Sequence, residues 1–231
     1  MPDDAGRVAV ITGATGALGK AVTKAFRDAG IRVAGAATQW PAGTEDSDGF
    51  APLTANLMIA AEANALIERA LSRFGRLDMA IHLAGGFAGG HPIEETPDEE
   101  WDHMWNLNLR TAVNVLRAVI PVMRNAGWGR IVAVGSRAGA ESPAGLSAYV
   151  ASKAALHAVV RVAAEELRLA GITANAVLPS VIDTPVNRKS LMDVEASRLV
   201  KPESIASQLL WLCSDAAADV NGALIPMYGR V

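Results

Sequence analysis

The sequence predicts an α/β fold in which a doubly wound, mostly parallel sheet is covered by helices on both faces, within a single domain spanning 1–231. Three observations carry this expectation. Short runs rich in Val, Ile and Ala, most of them bounded by Gly or Pro, alternate with longer stretches of helical period. The first of these runs passes through a glycine-rich turn directly into a helix. The chain has 231 residues, 51% of them hydrophobic, enough apolar surface for one large core.

The elements follow in order. Residues 7–12 (RVAVIT) read as a buried parallel strand. The turn Gly13-Ala14-Thr15-Gly16-Ala17-Leu18-Gly19 and a helix through Ala21, Val22, Ala25 and Phe26 come next, ending at Gly30. Strand, glycine turn and helix together aim free backbone N–H groups at a phosphate, as in a Rossmann fold. Residues 31–37 make a second strand. Residues 40–49, broken by Pro41, Gly43 and Gly49, predict an exposed loop where such folds often place a helix. A short strand over 50–53, an amphipathic helix over 59–74 and a strand over 77–83 follow. Thr96-Pro97-Asp98-Glu99 predicts a helix start with Thr96 as cap and Glu99 closing a capping box. That helix is expected to reach about Asn125, with a bend near Pro121. Further strands are expected over 130–134, 172–178 and 223–226, and helices over 147–171 and 202–213.

Composition removes several function classes. Charged residues make up 19% of the chain and the net charge is −3, with no basic concentration to form a nucleic-acid face. Cys213 is the only cysteine, so neither a disulfide framework nor a thiolate metal site is expected. His82 and His103 lack partners at metal-ligand spacing and read as satisfied structural histidines, so no metal is expected. No apolar run reaches the ~20 residues of a membrane span. The start of the chain lacks a secretion-signal pattern, and the expected location is cytoplasmic.

Chemistry enters at Tyr149-Val150-Ala151-Ser152-Lys153. On a helix, positions i and i+4 share a face, so the phenol and the amine can act on one small volume. An ammonium beside a phenol is expected to lower its pKa and make it a proton donor suited to carbonyl and alcohol chemistry.

With this order of elements, the chain resembles the short-chain dehydrogenase/reductase family over essentially its full length. Thr12-Gly13 to Gly19 resembles the family's TGxxxGxG cofactor turn, with Ala17 where a glycine is usual. Ala84-Gly85 resembles the end of its NNAG turn. Asn108 falls at its helix asparagine, and Ser136 precedes Tyr149 by 13 residues, the family's interval. Asn175 and Pro179 resemble the strand and turn before the nicotinamide contact. The resemblance implies an NAD(P)-dependent oxidoreductase moving hydride between nicotinamide and a small carbonyl or alcohol substrate. Tyr149 would donate the proton, Ser136 would hold the substrate oxygen, and Lys153 would tune the phenol and bind ribose. Asn108 would orient a water or backbone group behind Lys153. Cofactor contacts are expected from Gly13, Thr15, Gly16, Ala17, Leu18, Gly19, Thr38, Asn56, Leu57, Ala84, Gly85, Gly86, Pro179, Ile182 and Thr184, besides Tyr149 and Lys153. Asn56 can alternatively cap its loop. His157 is expected to pack at a helix or subunit contact. Arg188 and Lys189 would ride on a lid over about 185–202, or simply be solvated.

Local segments also resemble dihydropteridine reductases: the Gly16-Ala17-Leu18-Gly19 turn, the loop Gly85-Gly86-Phe87-Ala88-Gly89-Gly90 and the stretch 183–190. Phe87 would then border a flat substrate, or else pack beneath its loop. Ser136 departs from that subgroup and favours an ordinary carbonyl, with quinonoid dihydropterin as the alternative. A catalytically silent dinucleotide-binding regulator is the rival of another class. Residues 36–39 (AATQ) carry no acid to repel a 2′-phosphate and no Arg to attract one. Weak cofactor discrimination is expected, with NADP(H) slightly favoured through Thr15 or Thr38. The resemblance also implies a homodimer or homotetramer, built on the helices starting near Pro97 and Ser147.

Overall fold

A computed structural model of the protein describes residues 6–190 and 195–230. In chain order the elements are β1 (Val8–Thr12), α1 (Ala17–Asp28), β2 (Arg32–Ala37), β3 (Phe50–Thr54), α2 (Ala60–Phe74), β4 (Met79–His82), α3 (Asp98–Met104), α4 (Thr111–Ala126), β5 (Gly129–Val134), α5 (Ala138–Glu141), α6 (Ser147–Leu167), β6 (Ile172–Pro179), α7 (Pro185–Ser190), α8 (Pro202–Leu212) and β7 (Leu224–Met227). The seven strands form one sheet in the order β3-β2-β1-β4-β5-β6-β7, and every pairing is parallel.

Strands buried on both faces need apolar residues at successive positions, and β1, β4, β5 and β6 are buried throughout. On one face, Leu66 and Ile67 of α2, Val115 and Val119 of α4, and Leu156 and Val160 of α6 pack together. On the other, Val22 and Phe26 of α1 meet Ile205 and Leu209 of α8. The expected loop after β2 is present. There Trp40 meets Phe50 edge-on at 5.6 Å between ring centroids and donates its indole N–H to the Leu53 carbonyl. Two aromatic rings thus cover sheet surface that a helix would otherwise shield.

The helix after Thr96 differs from expectation. Pro97, not Thr96, is its N-cap, and no side chain caps it. The Thr96 hydroxyl instead donates to the Pro92 carbonyl and meets the Ser147 hydroxyl at 3.0 Å, which ties the loop to α6. The helical ladder widens into a π turn at Trp105–Arg110, between α3 and α4. Helical structure continues across Pro121, which lies on the exposed side of α4. A widened turn thus sits around Asn108, where a buried polar side chain must reach inward.

Candidate active site

The order β3-β2-β1-β4 reverses the direction of winding between β1 and β4, so a crevice opens at the carboxyl ends of those strands. The turn from β1 into α1 lies there. Gly13 has φ +65, and an added Cβ would press on the Ala84 backbone at 3.1 Å. A Cβ on Gly19 would run into the Gly13 carbonyl, so α1 packs on its own turn only without a side chain. Gly16 is the N-cap of α1, no side chain caps it and no acid lies in its first turn. Ala17 is exposed. These features suit a pyrophosphate: uncapped N–H groups, the positive end of a 12-residue helix and no competing carboxylate.

Across the crevice, α6 presents one face to the end of β5. Ser136 Oγ accepts the Ala138 N–H at 3.2 Å, and the Ser136 hydroxyl is near enough to the Tyr149 phenol to act on its pKa. One turn on, Lys153 is buried and donates from Nζ to the Val134 carbonyl at 3.0 Å. A further turn on, buried His157 accepts the Ser136 backbone N–H at Nε2, 3.3 Å away. Burial pushes the Lys153 ammonium down to about 8. Burial also raises the Tyr149 phenol, and the nearby Ser136 hydroxyl works against that rise. The expected lowering of the phenol by Lys153 is thus not what the structure shows. The phenol is half-buried and the ammonium is engaged by a carbonyl on β5, so desolvation outweighs the lysine.

Asn108 is fully buried in the π turn. Its Oδ1 accepts the Gly86 N–H at 2.9 Å, while its Nδ2 donates to the Gly86 carbonyl and to Ser152 Oγ, each at 3.1 Å. Asn108 therefore clamps the backbone of the 85–90 loop and joins it to α6. A Cβ on Gly85 would lie 2.7 Å from Asn108 Oδ1 and 3.3 Å from Lys153 Nζ, so this backbone passes directly over the amide and the ammonium. The loop's far end is held by the Gly90 N–H on the Gly145 carbonyl at 2.7 Å. Phe87, between the two anchors, is 65% exposed and meets the Tyr149 ring edge-on at 5.1 Å. It does not pack beneath the loop.

The remaining expected residues divide. Thr15 and Leu18 are half-buried at the turn, and Thr38 is exposed beyond β2. Asn56 Oδ1 accepts the Met58 N–H at 3.1 Å, the loop-capping alternative. Leu57 is buried, and its carbonyl accepts from Asn114. Pro179 ends β6, and Asn175 within it braces the chain before β7 through the Val220 carbonyl and the Ala223 N–H. Ile182 and Thr184 are half-buried in the following segment, where the Ile182 carbonyl and Thr184 Oγ1 both accept from Asn187. Arg188 is not simply solvated: it forms an ion pair with Asp183, one contact being 2.7 Å. Lys189 is exposed on α7. Of the expected lid, residues 191–194 lie outside the described residues.

Sequence reasoning missed two polar groups. His157 was expected at a helix or subunit contact and instead holds the Ser136 backbone; its i+4 spacing from Lys153 was the available signal. His82 is a satisfied buried histidine as expected, but it is also a bridge. Thr12 Oγ1 accepts the N–H groups of Leu83 and Ala84, and lies 3.2 Å from His82 Nδ1. His82 Nε2 lies 3.3 Å from Thr111 Oγ1, which donates to the Leu107 carbonyl in the π turn. Burial pushes this imidazole down to about 3, with Lys153 adding to the effect. His103 is exposed, contrary to the structural role expected of it. Among the described residues no three His, Cys, Asp or Glu side chains gather to hold a metal, and no helix is long and apolar enough to cross a membrane.

Comparison with known proteins agrees with this geometry. The family model described as short chain dehydrogenase matches residues 7–195. The chain is 32% identical to a 3-oxoacyl-[acyl-carrier-protein] reductase of Pseudomonas aeruginosa over 97% of this chain and 96% of that one. It is 28% identical to a D-beta-hydroxybutyrate dehydrogenase of Rhizobium meliloti over 96% and 97% of the two chains. A solved structure assigned as a 3-oxoacyl-reductase from Bacillus thuringiensis superposes with a TM-score of 0.84 at 27% identity, covering 97% of this chain and 98% of that one. These relatives favour neither the pterin reading nor the silent regulator. A parallel sheet in this order, an anion-ready glycine turn and a Ser-Tyr-Lys cluster at the strand ends stand together with a match over most of the chain: it belongs to the short-chain dehydrogenase/reductase family and is an NAD(P)-dependent oxidoreductase.

Proposed function

We propose that the protein reduces a small carbonyl compound, or oxidises the matching alcohol, at the cluster of Ser136, Tyr149 and Lys153. The observation that carries this reading is the convergence of three groups at the end of β5: Lys153 Nζ donates to the Val134 carbonyl, two residues before Ser136, and the Ser136 hydroxyl lies close enough to the Tyr149 phenol to lower its pKa. Two hydroxyls this near each other can meet one substrate oxygen together. When bound, the nicotinamide supplies or accepts the hydride. Ser136 orients the substrate oxygen, and Tyr149 gives it a proton as negative charge develops there. A phenol raised by burial holds its proton at neutral pH and releases it to a nascent alkoxide, which is far more basic. Lys153 holds the end of β5 and is the residue we assign to the ribose. Asn108 acts by fixing the Gly85–Gly86 backbone against the lysine. Gly13, Thr15, Gly16, Ala17, Leu18 and Gly19 are assigned to the pyrophosphate, Thr38, Asn56 and Leu57 to the adenosine half, and Ala84, Gly85, Gly86, Pro179, Ile182 and Thr184 to the nicotinamide half.

The substrate class follows from Phe87. An exposed phenyl set edge-on to Tyr149, on a loop anchored at both ends, offers a flat apolar wall beside the proton donor. A ring-bearing or otherwise planar carbonyl compound fits it. A 3-oxoacyl thioester is the second reading, supported by the relatives named above. The cofactor reading is NADPH slightly preferred over NADH. One domain would carry both sites, with 185–202 as a lid, in a cytoplasmic homodimer or homotetramer. Exposed Trp105 after α3 and Val162 on α6 support assembly through those helices. The test is a rate screen with both reduced cofactors against phenanthrenequinone, acetoacetyl-coenzyme A and a quinonoid dihydropterin. Turnover of either of the first two supports the reading. Turnover of the pterin alone, or of none, overturns it.

A further inference from the structure

Three residues spaced four apart on α6 reach the same short stretch of chain. Lys153 donates to the Val134 carbonyl and His157 accepts the Ser136 backbone N–H, while the Tyr149 phenol feels the Ser136 hydroxyl. On the other side, β6 holds the neighbours of Ser136: the Gly135 N–H donates to the Val177 carbonyl and the Arg137 N–H to the Pro179 carbonyl, both at 2.9 Å. Successive N–H groups therefore alternate between β6 and His157. Without the imidazole, the Ser136 N–H would face buried surroundings with no acceptor, a costly state that a rotated peptide would relieve.

The space for the ring is also particular. A Cβ on Gly135 would run into the imidazole, and one on Gly139 would lie 2.8 Å from it. The ring is wedged between two positions that have no side chain, one on each side of Ser136. An aliphatic residue filling that wedge would need only the volume; accepting an N–H needs a lone pair. Burial and the Lys153 ammonium push His157 down to about 4, so the imidazole is neutral at physiological pH and Nε2 is free to accept.

We propose that His157 is a positioning residue: by accepting the Ser136 N–H it sets where the Ser136 hydroxyl stands relative to Tyr149. This rests on the role given to Ser136 above. The bond also fixes the ring proton on Nδ1.

Two measurements on the full chain test it. The first is a mutant cycle with NADPH and phenanthrenequinone, using His157→Leu, His157→Gln and Ser136→Ala. His157→Leu should lower kcat between about tenfold and a hundredfold, the scale of a misplacement near 1 Å, with the cofactor Kd unchanged. His157→Gln, whose amide oxygen can accept the same N–H, should recover a several-fold part of that loss. In the Ser136→Ala background, His157→Leu should cost less than about threefold, because no hydroxyl remains to be positioned. Equal loss in both backgrounds, or no loss in either, overturns the proposal. If Ser136→Ala is itself as active as the parent, the role of the serine fails instead. The second measurement does not depend on turnover or on a leucine variant that folds. In protein carrying 15N-histidine, with His157 identified by its absence in His157→Gln, the ring at pH 7 should be protonated at Nδ1 and bare at Nε2. Protonation at Nε2 overturns the proposal.

Discussion

The two halves of the crevice are built differently. On the α6 side, the groups around the half-buried Tyr149 are themselves buried and tied by several bonds, with the chain at Ser136 held between α6 and β6 and Asn108 held between Gly86 and Ser152. On the β2 side, Thr38 and Gln39 are exposed, the 40–49 loop has no helix, and Asn56 is engaged with its own loop. Proton transfer requires atoms held to a fraction of an ångström, which only buried, multiply bonded side chains achieve. Recognition of the adenosine end relies on a few surface contacts and tolerates an open edge. Substitutions on the α6 side should therefore change rates strongly, and those on the β2 side should shift cofactor preference modestly.

The sharpest break of this contrast is Tyr149→Phe. It should lower kcat about a thousandfold or more while cofactor affinity stays near the parent value, since only the hydroxyl is removed. Lys153→Ala should damage both. Steady-state rates beside fluorescence titration of the reduced cofactor separate the two; Tyr149→Phe retaining about a tenth of the parent rate would refute the assignment.

Asn108→Leu probes whether the clamp is structural as well as functional. It removes the partners of the Gly86 N–H and carbonyl together and leaves Ser152 with one bond fewer. A loss of about 2 kcal/mol in urea unfolding, with a raised substrate KM, is expected. Unchanged stability would mean that the loop is held by other contacts.

Acid should weaken the same half of the molecule. His82 and His157 have folded values of about 3 and about 4, below the ordinary histidine value near 6.5. Below that ordinary value the unfolded chain takes up protons that the folded one refuses. The stability from these two groups is therefore complete above about pH 6.5 and is lost as pH falls towards 4 and then 3. Lys153 acts in a separate, alkaline window. Its folded value of about 8 lies below the ordinary 10.5, so burying the ammonium costs stability below pH 8, and that cost disappears as pH rises towards 10.5. Thermal melts between pH 7 and 4 should show a falling Tm, with a shallower fall in His157→Gln. Identical slopes in the two proteins would remove His157 from this account.

The smallest effects belong to the exposed side chains. NADPH should bind more tightly than NADH by less than about tenfold, or 1.4 kcal/mol, and Thr38→Asp should reverse the order. A hundredfold NADH preference in the parent would mean that an acidic group faces the adenosine ribose. Phe87→Ala should raise substrate KM several-fold, leaving Tm and cofactor affinity unchanged because the ring is 65% exposed. A lower Tm with unaltered KM would make Phe87 structural after all.

What could be read from the sequence was local. The strands were legible because parallel strands buried on both faces need mostly apolar runs, and VAVIT and, with Thr173 and Asn175 as its polar exceptions, ITANAVLP supply them. The glycine turn was legible because a tight turn before a helix tolerates few other residues, and Tyr149 with Lys153 because i and i+4 share a helix face. Partnerships between distant segments were not legible. Thr96 has the residue type of a cap, but Pro92 and Ser147 took its hydroxyl. The π turn has no residue signature of its own; it forms where Asn108 must reach Gly86 and Ser152 at once. Nor could spacing along the chain say that the phenol would be governed by burial and the Ser136 hydroxyl and not by Lys153, whose ammonium goes to Val134. A pKa depends on which side chains exclude water and on which partner a charge faces, and only the packed tertiary structure decides both.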